Sequence, residues 1–511
     1  MLNREAKQLN FYSTLYHKIP EKHILKLINS AISFKFIYDL VKDSYCSHFG
    51  RPAKDPEMIV RILILQRLYD LSDERVMEEL QLNLAYMWFI GINPDEELPD
   101  KSLLSKFRTL RLKETSLDDI LTEIVRQCIE KGIISEEAGI SVDSTHIEAN
   151  TTKKVPERIM KHLAKKIFKA EGIENYEIPD YKSIEDHTEA KRVMKDFLED
   201  VIENATEKSE AEVSEAKEVL ESPLFIEQKG IRSLSDKEAR VGRKSHTQSF
   251  FGYKSEYCMT TEGIITAMSV NDGAYVDGKD FDKLCELTTS AGLKMSEFFG
   301  DKAYFRPDIL NKLKELKAKA FIPVSASSYK VDEELYSYNK DSDQWFCKYG
   351  NETEKKTKGK QTVRGKEYAF YKYSFKIDQC RNCPHRDECI GGKKTIRKVM
   401  QVSANAAEYY EYSQFEKTEE FRKKYRERSG IERKNAEMKR FHGLARAKGY
   451  GLRSVSLQAK FTAIAVNLKR IAKIVSSSND DIFLIIRIVE AKIKFKAKWF
   501  AGTVGQLAKS T

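Results

Sequence analysis

The sequence has no uninterrupted apolar run of about 18 residues, so no helical membrane span is expected. Its start, Met-Leu-Asn-Arg-Glu-Ala-Lys, lacks the apolar stretch of a secretory leader, and the expectation is a cytoplasmic protein. Cysteine is sparse, at 8 of 511 residues. Four of these, Cys46, Cys128, Cys258 and Cys285, are scattered and are expected to act as small buried hydrophobes rather than as a disulfide framework. One stretch is short of acid: residues 421–473 hold 16 Lys or Arg against 3 Asp or Glu. Without offsetting acids it does not read as a self-neutralising helix face. It reads as a footprint for phosphates.

What is present is globular. Hydrophobic content is 41% and aromatic content 10%, and the length allows two to four domains with cores of their own. Charged residues make up 32%, so exposed helices should be abundant. The net charge of +10 is unevenly spread, because residues 171–220 carry 16 acids against 6 bases.

Residues 1–135 read as helical throughout. Pro56 suits a first helical turn, Ser72 an N-cap followed by acids, and residues 100–111 a short basic amphipathic helix. This region is expected to bind DNA or to dimerise. The period then changes. Gly139-Ile-Ser-Val-Asp143 alternates, as a strand ending on a carboxylate does. Residues 136–154 are therefore the first part of an α/β core. Residues 155–238 form a charged helical insertion, expected as a hairpin or a mobile segment. Residues 239–325 return to strands and helices, including a strand ending on Asp301. Residues 326–404 are a polar, cysteine-rich insertion with little apolar core. Residues 405–475 complete the core with basic helices, and 476–511 add a helix over about 480–499 and a tail.

The acids carry the chemistry. Asp143 and Asp301 end strands that this order makes neighbours in a mixed sheet. Glu432 sits within the basic run. On a helix, at about 100° per residue, Tyr425, Arg428, Glu432 and Lys439 fall within roughly 60° of one another. An acid among cations is badly placed to bind a polyanion and well placed to bind a metal that the polyanion shares. Three converging carboxylates need cations between them, and hard oxygen donors select Mg²⁺ or Mn²⁺. Arg433 and Lys434, in the same run, join the candidate DNA contacts. His146, close after the first acid, reads as a polar neighbour rather than a ligand. Clustered thiols at Cys380-x2-Cys383-x5-Cys389, with Cys347 upstream, suit a tetrahedral structural Zn²⁺, with His385 as a substitute should Cys347 not reach.

The residues Tyr425, Arg428, Glu432 and Lys439 match a Tyr-x2-Arg-x3-Glu-x6-Lys signature at every position and spacing. The chain resembles the DDE transposases of bacterial insertion sequences that carry this signature. Val142-Asp-Ser-Thr-His-Ile-Glu-Ala149, Phe299-Gly-Asp-Lys-Ala-Tyr304, Phe251-Gly-Tyr-Lys254 and His442-Gly-Leu-Ala-Arg-Ala-Lys-Gly449 extend the resemblance, which spans residues 50–475. It implies a ribonuclease H-like core, two divalent ions held by Asp143, Asp301 and Glu432, and a grip on transposon-end DNA by Tyr425, Arg428 and Lys439. It also implies double-stranded DNA partners, a dimer or higher oligomer on DNA, and association with the nucleoid when bound. The chain departs from the family at Ser144 and Ala303, where glycine is common. Either would strain a backbone that needed positive φ, by about 1 kcal/mol. The rival reading is a zinc-containing DNA-binding regulator that has lost catalysis. It accounts for the basic block and the cysteines but not for the three acids.

Overall fold

The computed structural model describes residues 12–46, 52–113, 115–151, 154–221, 233–244, 247–363, 365–390 and 395–477. Two compact units emerge. The first is drawn from Met1–Glu136, Ser144–Leu293 and Arg433–Thr511, and the second from Glu137–Asp143 and Lys294–Glu432.

The first unit opens with helices, as its composition predicts. They include α1 (Ile24–Ala31), α2 (Pro56–Leu68), α3 (Asp73–Leu82) and α4 (Ser116–Glu130). Pro56 takes the first turn of α2, whose N-cap is Asp55. Most of α2 is buried, including Ile59 to Leu65 without a break, so it is the hub of this bundle rather than an amphipathic rim. Ser72 caps α3 by accepting the Arg75 N–H at 3.0 Å. Cys128 is buried, but Cys46 is exposed, against the expectation for a scattered thiol.

Strand β1 (Glu137–Glu148) starts in the second unit and continues in the first after Asp143. The expectation that Asp143 ends its strand is thus corrected. Apolar alternation persists through Ile147, which is buried, so pairing continues beyond the acid. Helices α5 (Pro156–Glu171), α6 (His187–Glu203) and α7 (Glu210–Glu221) follow. They pack on a core of their own, with Ile159, Leu163, Met194, Leu198 and Ala216 at its centre. The insertion is therefore a packed helical cluster, not a bare hairpin. Strands β2 (Arg240–Arg243), β3 (Ser249–Thr260) and β4 (Ile265–Asp272) pair antiparallel. β3 lies next to β1, and just past the end of β1 the Ala149 N–H donates to Phe251 O at 2.9 Å. Helix α8 (Phe281–Ser290) packs on β3 and β4.

In the second unit, β5 (Lys294–Phe299) pairs parallel with the start of β1, and β6 (Lys319–Phe321) pairs parallel with β5. Helix α9 (Pro307–Glu315) makes the crossover that a parallel pair requires. Pairing is antiparallel in the first unit and parallel in the second. The hairpin β7 (Tyr336–Asn339) and β8 (Gln344–Cys347) follows. So does the antiparallel sheet of β9 (Thr353–Val363), β10 (Lys366–Phe375) and β11 (Val399–Ser403), with β10 central. Trp345, Tyr373, Phe375, Met400 and Val402 give this cysteine-bearing region a real apolar core, which corrects the expectation that it has little. Helices α10 (Ile377–Arg381), α11 (Arg386–Ile390), α12 (Ala406–Glu416) and α13 (Glu419–Tyr425) complete the unit.

Helix α14 (Ser429–Phe441) contributes its first residues, through Glu432, to the second unit and the rest to the first. In the first unit, α15 (Leu452–Ser477) packs against α1, α2, α4 and β4, so one long helix closes a core shared by the N-terminal helices and the antiparallel strands. The helix expected over 480–499 lies outside the described residues.

Candidate active site

The parallel register of β1 and β5 runs from Glu137 opposite Lys294 to Ser141 opposite Phe299. Asp143 lies two residues beyond Ser141, and Asp301 two residues beyond Phe299. The pairing therefore delivers both acids to the same end of the pair. Asp301 caps the short turn Lys302–Tyr304, its Oδ1 accepting the Ala303 N–H at 2.8 Å. Neither Ser144 nor Ala303 is among the non-glycine residues with positive φ, which in the described chain are Asp70, Lys317 and Asp343. The substitutions for glycine therefore impose no backbone strain.

Aromatic packing brings the third acid into the same unit. Phe421 and Tyr425 of α13 stack at 5.5 Å, and both join a cluster with Phe299 of β5, Phe321 of β6 and Phe415. Lys424 adds an ion pair to Glu297 of β5 at 2.9 Å. These contacts tie α13 to the strand ends near Asp301. The aromatic spacing Phe415, Phe421, Tyr425 is visible in the sequence, but its role was not read from it.

The helical signature is not one helix. Tyr425 ends α13, Arg426–Arg428 form a 3₁₀ turn, and α14 starts at Ser429. Ser429-Gly430 are poor helix-interior residues, and the chain tightens before them to about three residues per turn. The single-face geometry expected for Tyr425, Arg428, Glu432 and Lys439 is corrected accordingly.

Arg428 is the centre of the arrangement. Its Nη1 lies 2.8 Å from Glu432 Oε1 and its Nη2 3.4 Å from Asp143 Oδ1. The Arg428 and Asp143 side chains are 14% and 17% exposed, whereas Glu432 is 64% exposed. Burial works to lower the guanidinium pKa, but Asp143, Tyr425, Asp301 and Glu432 hold it above its usual value. Burial pushes the Tyr425 phenol up, against Arg428, with Asp301 and Glu432 adding to the rise. Arg428 thus pairs with Asp143 and Glu432, and the charge of Asp301 is felt at both Arg428 and Tyr425. Arg428 Nε is buried with no acceptor, at a cost of about 1–3 kcal/mol.

Lys439 belongs to the first unit. Its Nζ lies 3.2 and 3.3 Å from the two ring nitrogens of His146. Burial, then the charges of Lys439, Lys244 and Lys254, push the His146 pKa down to about 4, so the ring is neutral near pH 7. Arg433 is exposed. Lys434 is buried and pairs with Glu437 at 3.0 Å, and Glu437 also pairs with Lys469 at 2.9 Å. The Lys434 ammonium is thus engaged inside the protein.

The cysteine region gathers its thiols. Cys347 at the end of β8, Cys380 in α10, Cys383 in the turn after it and Cys389 in α11 line one pocket of about 260 Å³, together with His385. Tyr349 stacks on His385 at 4.0 Å. Burial pushes the Cys380 thiol up, and Cys347, Cys389 and Cys383 add to the rise. Among the described residues, however, no group of three or more His, Cys, Asp or Glu side chains is arranged to hold a metal ion. At the acids, Arg428 pairs with both Asp143 and Glu432. The donor types still fit, with hard carboxylates at one place and thiols at the other.

Residues 13–110 match the family described as transposase domain (DUF772), and residues 346–472 match the transposase DDE domain. The first match lies in the helices that open the first unit. The second contains the cysteine pocket, Tyr425, Arg428, Glu432 and Lys439. Together they support a DDE-type transposase, a DNA-processing enzyme. No curated protein matches the chain. Among the described residues no helix is long and apolar enough to cross a membrane.

Proposed function

We propose that the chain is a transposase with a ribonuclease H-like core. It binds the terminal inverted repeats of its own insertion sequence, cleaves strands there and joins 3′-hydroxyls to target DNA as a dimer or higher oligomer. The observation that carries this reading is the parallel register after which Asp143 and Asp301 follow at the same end of the β1–β5 pairing, with Arg428 pairing Asp143 and Glu432. Asp143, Asp301 and Glu432 would hold Mg²⁺ or Mn²⁺. When bound, such ions activate the attacking oxygen and stabilise charge on the phosphodiester. Tyr425, Arg428, Arg433 and Lys439 hold the DNA backbone, while Lys434 serves packing through Glu437. The thiols of Cys347, Cys380, Cys383 and Cys389 would hold a structural Zn²⁺, which when bound would staple this region.

The test is cleavage of a duplex carrying the ends that flank this gene, in Mg²⁺. Asp143→Ala, Asp301→Ala and Glu432→Ala should each reduce cleavage by about 10³-fold or more, the scale of losing a transition-state charge stabiliser, with end binding retained. Full cleavage by Glu432→Ala would overturn the assignment. Joined products separate a transposase from a simple nuclease.

A further inference from the structure

The resemblance assigns Arg428 to the DNA, yet in the structure its guanidinium lies against two of the acids. We propose that Arg428 is a positioning residue that occupies Asp143 and Glu432 as an internal cation. A DNA phosphate, by drawing the guanidinium away, frees these carboxylates for a divalent ion. This rests on the reading of the three acids given above.

The chemistry of competition is direct. A guanidinium between two carboxylates supplies the positive charge a divalent ion would bring and takes a lone pair of each, so the two cations compete for the same place. Phosphate offers arginine the same forked geometry as carboxylate, so the exchange replaces one pair with an equivalent one. The present hold is incomplete. The contact to Asp143 is long, at 3.4 Å, Glu432 is largely exposed, and Nε is buried without an acceptor. A half-satisfied guanidinium gives up its partners more readily than a fully bonded one. The backbone offers the joint. Arg428 closes a 3₁₀ turn immediately before Ser429-Gly430, and a 3₁₀ step inside a helical run often marks a hinge. The consequence is order of assembly: DNA end first, metal second.

The experiment titrates Mn²⁺ into DNA-free protein and follows free Mn²⁺ by EPR. The proteins are wild type, Arg428→Ala, Arg428→Lys, Asp143→Asn and Arg428→Ala with Asp143→Asn. Arg428→Ala should bind Mn²⁺ about tenfold more tightly than wild type, the scale of releasing a charge-assisted hydrogen bond. Arg428→Lys should stay nearer wild type, and adding Asp143→Asn should erase the gain. End DNA should tighten Mn²⁺ binding by wild type more than by Arg428→Ala, and an equal gain in the two would overturn the displacement. If Arg428→Ala does not fold, Arg428→Gln removes the charge and keeps much of the length. If Arg428→Ala or Arg428→Gln binds no more tightly than wild type while Asp143→Asn still weakens binding, the positioning role falls and the acid site stands. Mn²⁺ binding indifferent to Asp143→Asn in every background removes both.

Discussion

Gly252, in the stretch Phe251-Gly-Tyr-Lys254, lies with its Cα directly against the backbone at the end of β1. A Cβ at this position would collide with Ile147 O and stand 2.6 Å from Ala149 N and 3.0 Å from Glu148 C. All three are backbone atoms, so no side chain can rotate to make room. Gly252→Ala must push the strands apart, and the nearest casualty is the Ala149 N–H to Phe251 O bond of 2.9 Å. Overpacking costs about 1–3 kcal/mol, and a buried backbone group left unpaired costs a similar amount. The sum, about 3 kcal/mol or more, is a large share of a typical folding free energy of about 5–15 kcal/mol. It acts on the strand that carries Asp143 a few residues upstream. Thermal unfolding, read by tryptophan fluorescence and by circular dichroism, should show an early transition in the variant and reduced soluble yield. A Gly252→Ala protein that unfolds with the wild-type profile would refute the close-approach argument.

Other expectations follow from single contacts. Lys460 and Asp118 form an ion pair of 2.7 Å with each side chain only 7% exposed, joining α15 to α4. Lys460→Met should destabilise by about 3–5 kcal/mol in chemical denaturation, and adding Asp118→Leu should recover most of it. A double variant no better than the single would count against the pair as the cause. His146 is held neutral, its pKa depressed from 6.5 to about 4. The unfolded chain therefore takes up the proton first, and stability present above pH 6.5 is lost as pH falls towards 4. His146→Gln should flatten this part of a pH–stability curve, and an unchanged slope would show that other groups cause it. Elemental analysis of purified protein should find about one zinc per chain, lost in Cys380→Ser with Cys383→Ser. Zinc-free wild-type protein of unchanged stability would remove that assignment.

The order of elements was readable from local pattern. The start of α2 at Pro56, the cap at Ser72, strands β3 and β4, and the start of α9 at Pro307 lie where periodicity and capping chemistry put them. These signals are short-range, because a cap or an alternation acts within one or two turns. Readings that needed longer range fared differently. The strand through Asp143 runs on to Glu148, because whether pairing continues depends on a partner more than 100 residues away. The core under the cysteine region was missed because Trp345, Tyr373 and Val402 converge from separate strands.

By itself the sequence determined residue chemistry: three acids, a basic run nearly free of counter-charge, four clustered thiols and the elements that bear them. Tertiary structure alone decided which of these meet. Parallel register set Asp143 beside the Asp301 end of β5, and aromatic packing seated α13 against the strand ends. A tightened turn before Ser429 then aimed Arg428 at the acids rather than along a common helical face. Burial took Lys434 out of solvent although it lies among exposed cations in the sequence. The reason is the same throughout. Composition and period are local properties of the chain, while the partner a charge finds is set by burial and pairing summed over residues that the sequence holds far apart.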